Sequence, residues 1–215
     1  MNLVLKIAGI LLIYSVLFLN AYIMHDSYFA LASAFCGITY TLLAGKGNPL
    51  CYLIGLLGSA FYIYLAFSNH FWGNLLLYAL YFVPMQIIGF FNWNKNLKED
   101  KYEIKKTSLK HSENIVLFSV AFLISSVTVF ILAHCGDANP VIDGFTTVFS
   151  ILGMYLTVRR AIEQWYVWAG VNAMSFIMWI IVALNGAKVY STVLMWSIYF
   201  ILAIYFYKKW KEELA

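Results

Sequence analysis

This sequence predicts an all-α polytopic membrane protein with eight transmembrane helices, on three observations. Of its 215 residues, 63% are hydrophobic and only 11% charged, less than half the roughly 25% charged residues of an ordinary soluble domain. Mean hydropathy is +0.78. Eight apolar stretches, each near the ~20 residues that cross about 30 Å of hydrocarbon, alternate with short polar breaks. This composition excludes a soluble globular enzyme, a disordered tail and a collagen-like rod.

In chain order the predicted spans are residues 3 to 24, 28 to 44, 50 to 68, 71 to 92, 115 to 134, 141 to 158, 165 to 184 and 190 to 207. The first carries Lys6 ahead of its apolar run and reads as a retained helix rather than a cleaved leader, because no small-x-small cleavage site follows it cleanly. The connections are short except for residues 93–114, whose six lysines alternate with Glu99, Asp100, Glu103 and Glu113. That stretch reads as a solvated cytoplasmic linker. Placing it inside also puts Lys6, Lys46, Arg159, Arg160, Lys208, Lys209 and Lys211 inside, so thirteen of the fourteen Lys and Arg lie on one side and only Lys188 lies outside. Cytoplasmic loops retain positive charge, so both termini are expected in the cytoplasm. Arg159, Arg160 and Glu163 read as a positive, partly paired inner rim.

An internal repeat organises six of the spans. An offset of 116 residues pairs Gly37 with Gly153, Thr41 with Thr157, Tyr52 with Trp168, Ser59 with Ser175 and Asn69 with Asn185; an offset of 118 then pairs Tyr78 with Trp196, Tyr81 with Tyr199 and Phe82 with Phe200. The expected organisation is therefore an extra N-terminal helix (1–26), a three-helix unit (28–92), the basic loop (93–114), a linker helix with its outer loop (115–140), a second unit (141–207) and a tail (208–215). The single crossing between the units makes them parallel, an arrangement known among transporters, with substrate bound near the midplane between repeats.

Polar residues deep in a span should face protein or a cavity. The fourth span holds Asn74, Tyr78, Tyr81, Gln86 and Asn92, with Gly89 and a Pro84 that should bend it by withholding an N–H. Gln86 reads equally well as a ligand contact or as interhelical glue. In the seventh span Trp165, Trp168, Asn172, Ser175 and Trp179 recur every three or four residues and share one helix face, where indoles could sandwich an aromatic ring and the amide could bond a sugar or carboxamide. Trp165, near the inner boundary, reads as an interfacial anchor. No acidic or basic side chain falls at the centre of a span, which disfavours proton coupling and leaves sodium coupling less firmly excluded. Cys36, Cys51 and Cys135 show neither disulfide nor metal-site spacing, and hydrolase, zinc-protease and phosphate-loop signatures are absent; Gly45-Lys46-Gly47-Asn48-Pro49 lacks the phosphate-loop spacing. No enzyme, cofactor, metal or nucleic-acid function is expected.

The run Arg159-Arg160-x-x-Glu163-x-Trp165-x-x-Trp168-x-x-x-Asn172-x-x-Ser175, followed by Ala183-Leu184-Asn185-Gly186, resembles the signature of the PnuC family of bacterial vitamin transporters, as does Gln86-x-x-Gly89-x-x-x-Trp93. The resemblance spans roughly residues 30 to 210 and covers the first helix least. It implies a full-length, SWEET-like three-plus-one-plus-three fold in the bacterial inner membrane, assembled as a homotrimer. It further implies uptake of nicotinamide riboside by facilitated diffusion, with a cytoplasmic kinase trapping the product. Relatives carry thiamine or riboflavin, so these remain alternative substrates. By the same resemblance Trp168 would stack near the nicotinamide or ribose, and Asn172 and Gln86 would hydrogen-bond the sugar or carboxamide. Ser175, Tyr78 and Trp196 join them on helical facing alone. A seven-helix receptor and an ion-driven cotransporter are competing classes, separated from a uniporter by net flux and by uphill accumulation.

Overall fold

Within hydrocarbon a helix satisfies its own backbone polar groups, and the long apolar runs of this chain fold accordingly. The computed structural model describes residues 3–25, 28–68, 72–99, 102–136, 139–184 and 190–214. Its helices are α1 (Leu3–Met24), α2 (Tyr28–Gly45), α3 (Cys51–Ser68), α4 (Trp72–Leu77), a π turn (Tyr78–Phe82), α5 (Val83–Lys95), α6 (His111–His134), α7 (Pro140–Val158), α8 (Gln164–Leu184) and α9 (Tyr190–Leu214). The run from α4 through the π turn to α5 is the fourth predicted span. By length and composition, Leu75–Lys95, His111–His134 and Pro140–Val158 are long and apolar enough to cross a membrane among the described residues. Two boundaries differ from expectation by four residues or more: α6 starts at His111, and α9 continues through the expected tail to Leu214.

The π turn has a local cause. Pro84 has no N–H to offer the carbonyl one turn earlier, and just before it the Val83 N–H reaches back five residues to the Tyr78 carbonyl. The expected bend is realised as one widened turn, a form often found at functional positions.

Helices α2 and α3 pack together, as do α6 with α7, α7 with α8 and α8 with α9. Helix α5 joins α3 to α7, while α9 touches α2 and the peripheral α1. The main core gathers Tyr52, Phe82, Trp93, Ile104, Met154, Trp165, Phe206 and Trp210. Helix α6 buries only Ala121 and Ser125, and Val116, Val120, Leu123, Val127 and Phe130 point outward. Such a face suits lipid.

The loop between α5 and α6 corrects the expectation of a solvated linker. Among the described residues it lies as a strap across one end of the bundle. Ile104 is fully buried and its N–H bonds the Gly47 carbonyl at 3.0 Å. Thr107 donates its N–H to the Arg160 carbonyl at 3.0 Å and accepts from the Ile162 N–H at 2.8 Å, while the Leu109 N–H donates to Glu163 Oε1 at 3.0 Å. Alternating Leu97, Ile104 and Leu109 among the lysines give the loop an apolar side, which counting charges concealed. The rim is also paired differently: Arg159 bonds Glu113, and Arg160 donates to the Lys105 carbonyl at 2.9 Å. These contacts gather the α2–α3 turn, the strap, the α7–α8 turn and the end of α9 at one end of the molecule, with their cations. The Lys6 side chain, Asn69, His70, the Asn74 side chain, Asn185, Gly186 and Lys188 lie outside the described residues.

Lys106 fastens the strap to α9. Its side chain is only 2% exposed, pairs with Glu213 and lies 5.0 Å from the centre of the Trp210 ring. Burial lowers the Lys106 pKa despite the opposing pull of Glu213. Burial pushes the Glu213 carboxyl upward, but Lys106, Lys209 and Lys98 outweigh it and hold the group below its ordinary value. A lowered carboxyl contributes stability above its unfolded pKa, about 4.3, and loses it as pH falls through the folded value. Wild type should therefore melt above Glu213→Gln at neutral pH, with the gap closing below that range; a gap independent of pH would show that the carboxylate does not fasten the strap. Ile104→Ala should lower unfolding free energy in detergent by about 2–4 kcal/mol, as for other buried truncations.

Candidate functional site

Four of the six candidate residues lie in two polar zones, Gln86 in one and Trp168, Asn172 and Ser175 in the other. In the first, Gln86 is 4% exposed on α5 and donates Nε2–H to Ser59 Oγ on α3 at 2.8 Å. Its Oε1 is buried without a hydrogen-bond partner, as are the Tyr40 and Tyr52 hydroxyls. Glycines make this approach possible: a Cβ on Gly55 would lie 2.5 Å from Gln86 Oε1, and one on Gly89 would lie 2.4 Å from the Tyr52 ring. Gln86 therefore acts as interhelical glue through its nitrogen while its oxygen stays available. Buried polar atoms without partners are uncommon and call for an explanation, of which a bound ligand is one.

The second zone is the inward face of α8. Trp165, Asn172 and Ser175 are 3%, 5% and 4% exposed, and Trp168 is half-buried among them. Asn172 makes no hydrogen bond among the described residues, so its amide is free to serve a ligand. Trp168 packs over Gly153 and donates Nε1–H to Thr157 Oγ1 at 3.1 Å; Thr157 in turn donates to the Gly153 carbonyl at 2.8 Å. The indole is thus fixed in orientation, and its remaining faces are what it can offer. Trp165 is not an interfacial anchor: it packs between Phe206 and Trp210, with ring centres 5.2 and 5.5 Å away. Helix α9 crosses α8 there and covers the indole.

Tyr78 stacks on Tyr62 at 4.2 Å within the π turn. Trp196, with a buried unpartnered Nε1, meets Tyr199 edge-on at 5.7 Å, and the Tyr199 hydroxyl fills the space above Gly37. Tyr81 donates to the Ile151 carbonyl at 2.8 Å. No hydrogen bond among the described residues joins Gln86 to Asn172 or Trp168. Cavities of 350 Å³ beside Ser197 and Phe200 and 150 Å³ beside Phe118 and Phe149 have apolar linings that include none of the six residues. Ser59 and Thr157 were missed as partners of the site, although both belong to the repeat pairs. Tyr40 and Tyr62 left no signal among so many aromatics, and Tyr52 showed only as the repeat partner of Trp168.

Comparison with known proteins decides the family. The model of the nicotinamide mononucleotide transporter family matches residues 27–212. The chain belongs to this family. It is 30% identical over 192 residues to a nicotinamide riboside transporter PnuC of Neisseria mucosa, covering 87% of this chain and 73% of that protein. It is 28% identical over 189 residues to the Haemophilus influenzae protein of the same description, covering 87% and 80%. A crystal structure described as the vitamin B3 transporter PnuC superimposes with a TM-score of 0.83 at 27% identity, covering 97% of this chain and 91% of that one. The fold is accordingly that of a multi-pass membrane transporter, and the chain is not an enzyme.

Thr157 tests the ordering of the site. Thr157→Val preserves shape but removes the oxygen that accepts from Trp168, and an unpaired buried donor costs about 1–3 kcal/mol. The expected outcome is a lower melting temperature with altered Trp emission; unchanged values would show that the indole is held by packing alone.

Proposed function

We propose that this transporter carries nicotinamide riboside across the bacterial inner membrane by facilitated diffusion, with both termini cytoplasmic and cytoplasmic phosphorylation trapping the product. The observation that carries this reading is Asn172, a buried residue whose amide makes no hydrogen bond among the described residues, one turn from the fixed indole of Trp168, in a chain whose relatives are described as nicotinamide riboside transporters. Trp168 offers a ring face to the pyridinium, where a desolvated cation–π contact contributes about 2 kcal/mol. Asn172 and Gln86 bond the sugar or carboxamide, and Ser175, Tyr78 and Trp196 complete the surroundings. The family description names the mononucleotide, but a phosphate would need a cationic partner, and the span centres supply none. The riboside therefore suits this chain better. Absence of central ionisable groups also favours uniport over proton coupling.

The finer architecture belongs to the same proposal: two parallel three-helix units, 28–92 and 141–207, joined by the linker helix, preceded by α1 and assembled as a trimer. Reciprocal packing supports the paired units. The first helix of each meets the third helix of the other, α2 with α9 and α7 with α5. Thr41 and Thr157, paired at offset 116, each donate to the carbonyl of the paired glycine four residues earlier, at 3.0 and 2.8 Å.

Proteoliposomes containing only this chain should take up nicotinamide riboside down its gradient, without accumulation when a proton or sodium gradient is imposed. Asn172→Ala should weaken binding about tenfold, near the upper end for one hydrogen bond, while the protein still assembles. Preferred binding of thiamine or riboflavin would overturn the substrate; unchanged affinity in a folded variant would remove Asn172 from the site.

A further inference from the structure

At the strapped end two indoles make reciprocal bonds. Trp93, near the end of α5, donates Nε1–H to the Thr157 carbonyl of α7 at 2.9 Å, and Trp210, near the end of α9, donates to the Gly45 carbonyl of α2 at 2.8 Å. Both rings are 0% exposed. The last carbonyls of a helix have no donor within it; here an indole from the opposite three-helix unit meets Gly45, and another joins the Arg160 N–H, at 2.9 Å, on Thr157. Each indole also meets one aromatic ring edge-on, Tyr52 against Trp93 at 5.0 Å and Trp165 against Trp210 at 5.5 Å, although these two rings are not counterparts at the repeat offset. Asn92 adds a second donor to α7, bonding the Val158 carbonyl at 2.8 Å. Cys51, also 0% exposed, lies in the same apolar cluster as both indoles and Ile104.

The strap divides unequally between the units. Its described backbone bonds include one to the α2–α3 turn, from Ile104 to Gly47, but several to the α7–α8 turn through Lys105, Thr107 and Leu109. It is built to remain with the second unit if the two separate.

We propose that the Trp93–Thr157 and Trp210–Gly45 bonds are the gate at this end of the transporter, closed in this structure, and that both must break for the substrate path to open there. This rests on the transport reading, since a receptor would need no such opening. Neutral hydrogen bonds between helix ends suit the task. Each contributes little enough, about a fivefold bias between closed and open, for the pair to hold the end shut and still release it during turnover. The strap moves with the second unit, parting from Gly47 as the Trp210 clasp opens.

Cys51 is a built-in reporter. With Cys36→Ser and Cys135→Ser removing the other thiols, a membrane-impermeant maleimide applied to the strapped face of reconstituted vesicles should label Cys51 slowly. Trp93→Phe and Trp210→Phe each keep a ring and lose the donor; each should raise the labelling rate about fivefold, and the double variant should exceed either. Unchanged rates in all three, or a rise in only one single variant, would overturn the paired gate. A second measurement needs no Trp substitution: nicotinamide riboside flux toward the strapped face should accelerate Cys51 labelling in the parent, and flux without acceleration would also overturn the gate. Complete absence of flux would instead count against the transport reading, while the labelling comparison would still judge the gate.

Discussion

Carbonyls at the ends of helices are the constraint on which the inner architecture depends. In hydrocarbon or in a dry core such groups must find protein donors, and at the strapped end many of those donors come from elsewhere in the chain. Trp93, Asn92 and Trp210 reach across helices, and Thr107 meets the carbonyls of Arg159 and Arg160. Residues far apart in sequence are thereby held together by a need that each helix has individually. The tight burial of Ile104, Trp93, Trp210 and Cys51 follows from that convergence.

The polar zones inherit their order from the same packing. Thr157 serves three functions at once: its carbonyl accepts Trp93, its hydroxyl oxygen accepts Trp168, and its hydroxyl proton goes to Gly153. A structural tie and the orientation of a candidate ligand-facing indole therefore share one residue. Gly55, Gly89 and Gly153 matter here because they lack a Cβ where a neighbouring side chain comes close.

Much of the fold was legible because hydrophobic runs and their polar breaks translate directly into helices. All eight segments emerged, and Pro84 marked the distorted one, although its form as a π turn depends on which donor takes over, and hydropathy does not encode that. The strap was misread because its apolar residues are sparse: Ile104 is buried by the turn at Gly47, and nothing local signals this. Trp165 was misread for a related reason. An indole near a helix end looks alike whether it meets lipid headgroups or another helix, and only the crossing of α9 decides. Gln86, Trp168 and Asn172 were legible as inward-facing polar positions; Ser59 and Thr157, the partners of Gln86 and Trp168, required the tertiary arrangement.

The π turn leaves a trace in the spacing of the two proposed units. Tyr81 and Phe82 precede their counterparts by 118 residues, whereas Trp93 precedes Trp210 by 117, so the first unit holds one residue more in this interval. A widened turn can absorb one inserted residue while keeping the downstream helix face in phase, which is why the two tryptophans can still make equivalent bonds. α9, with no such turn in its described length, retains the shorter spacing. The extra residue falls between Phe82 and Trp93, so the two units differ in length across the stretch that carries Gln86.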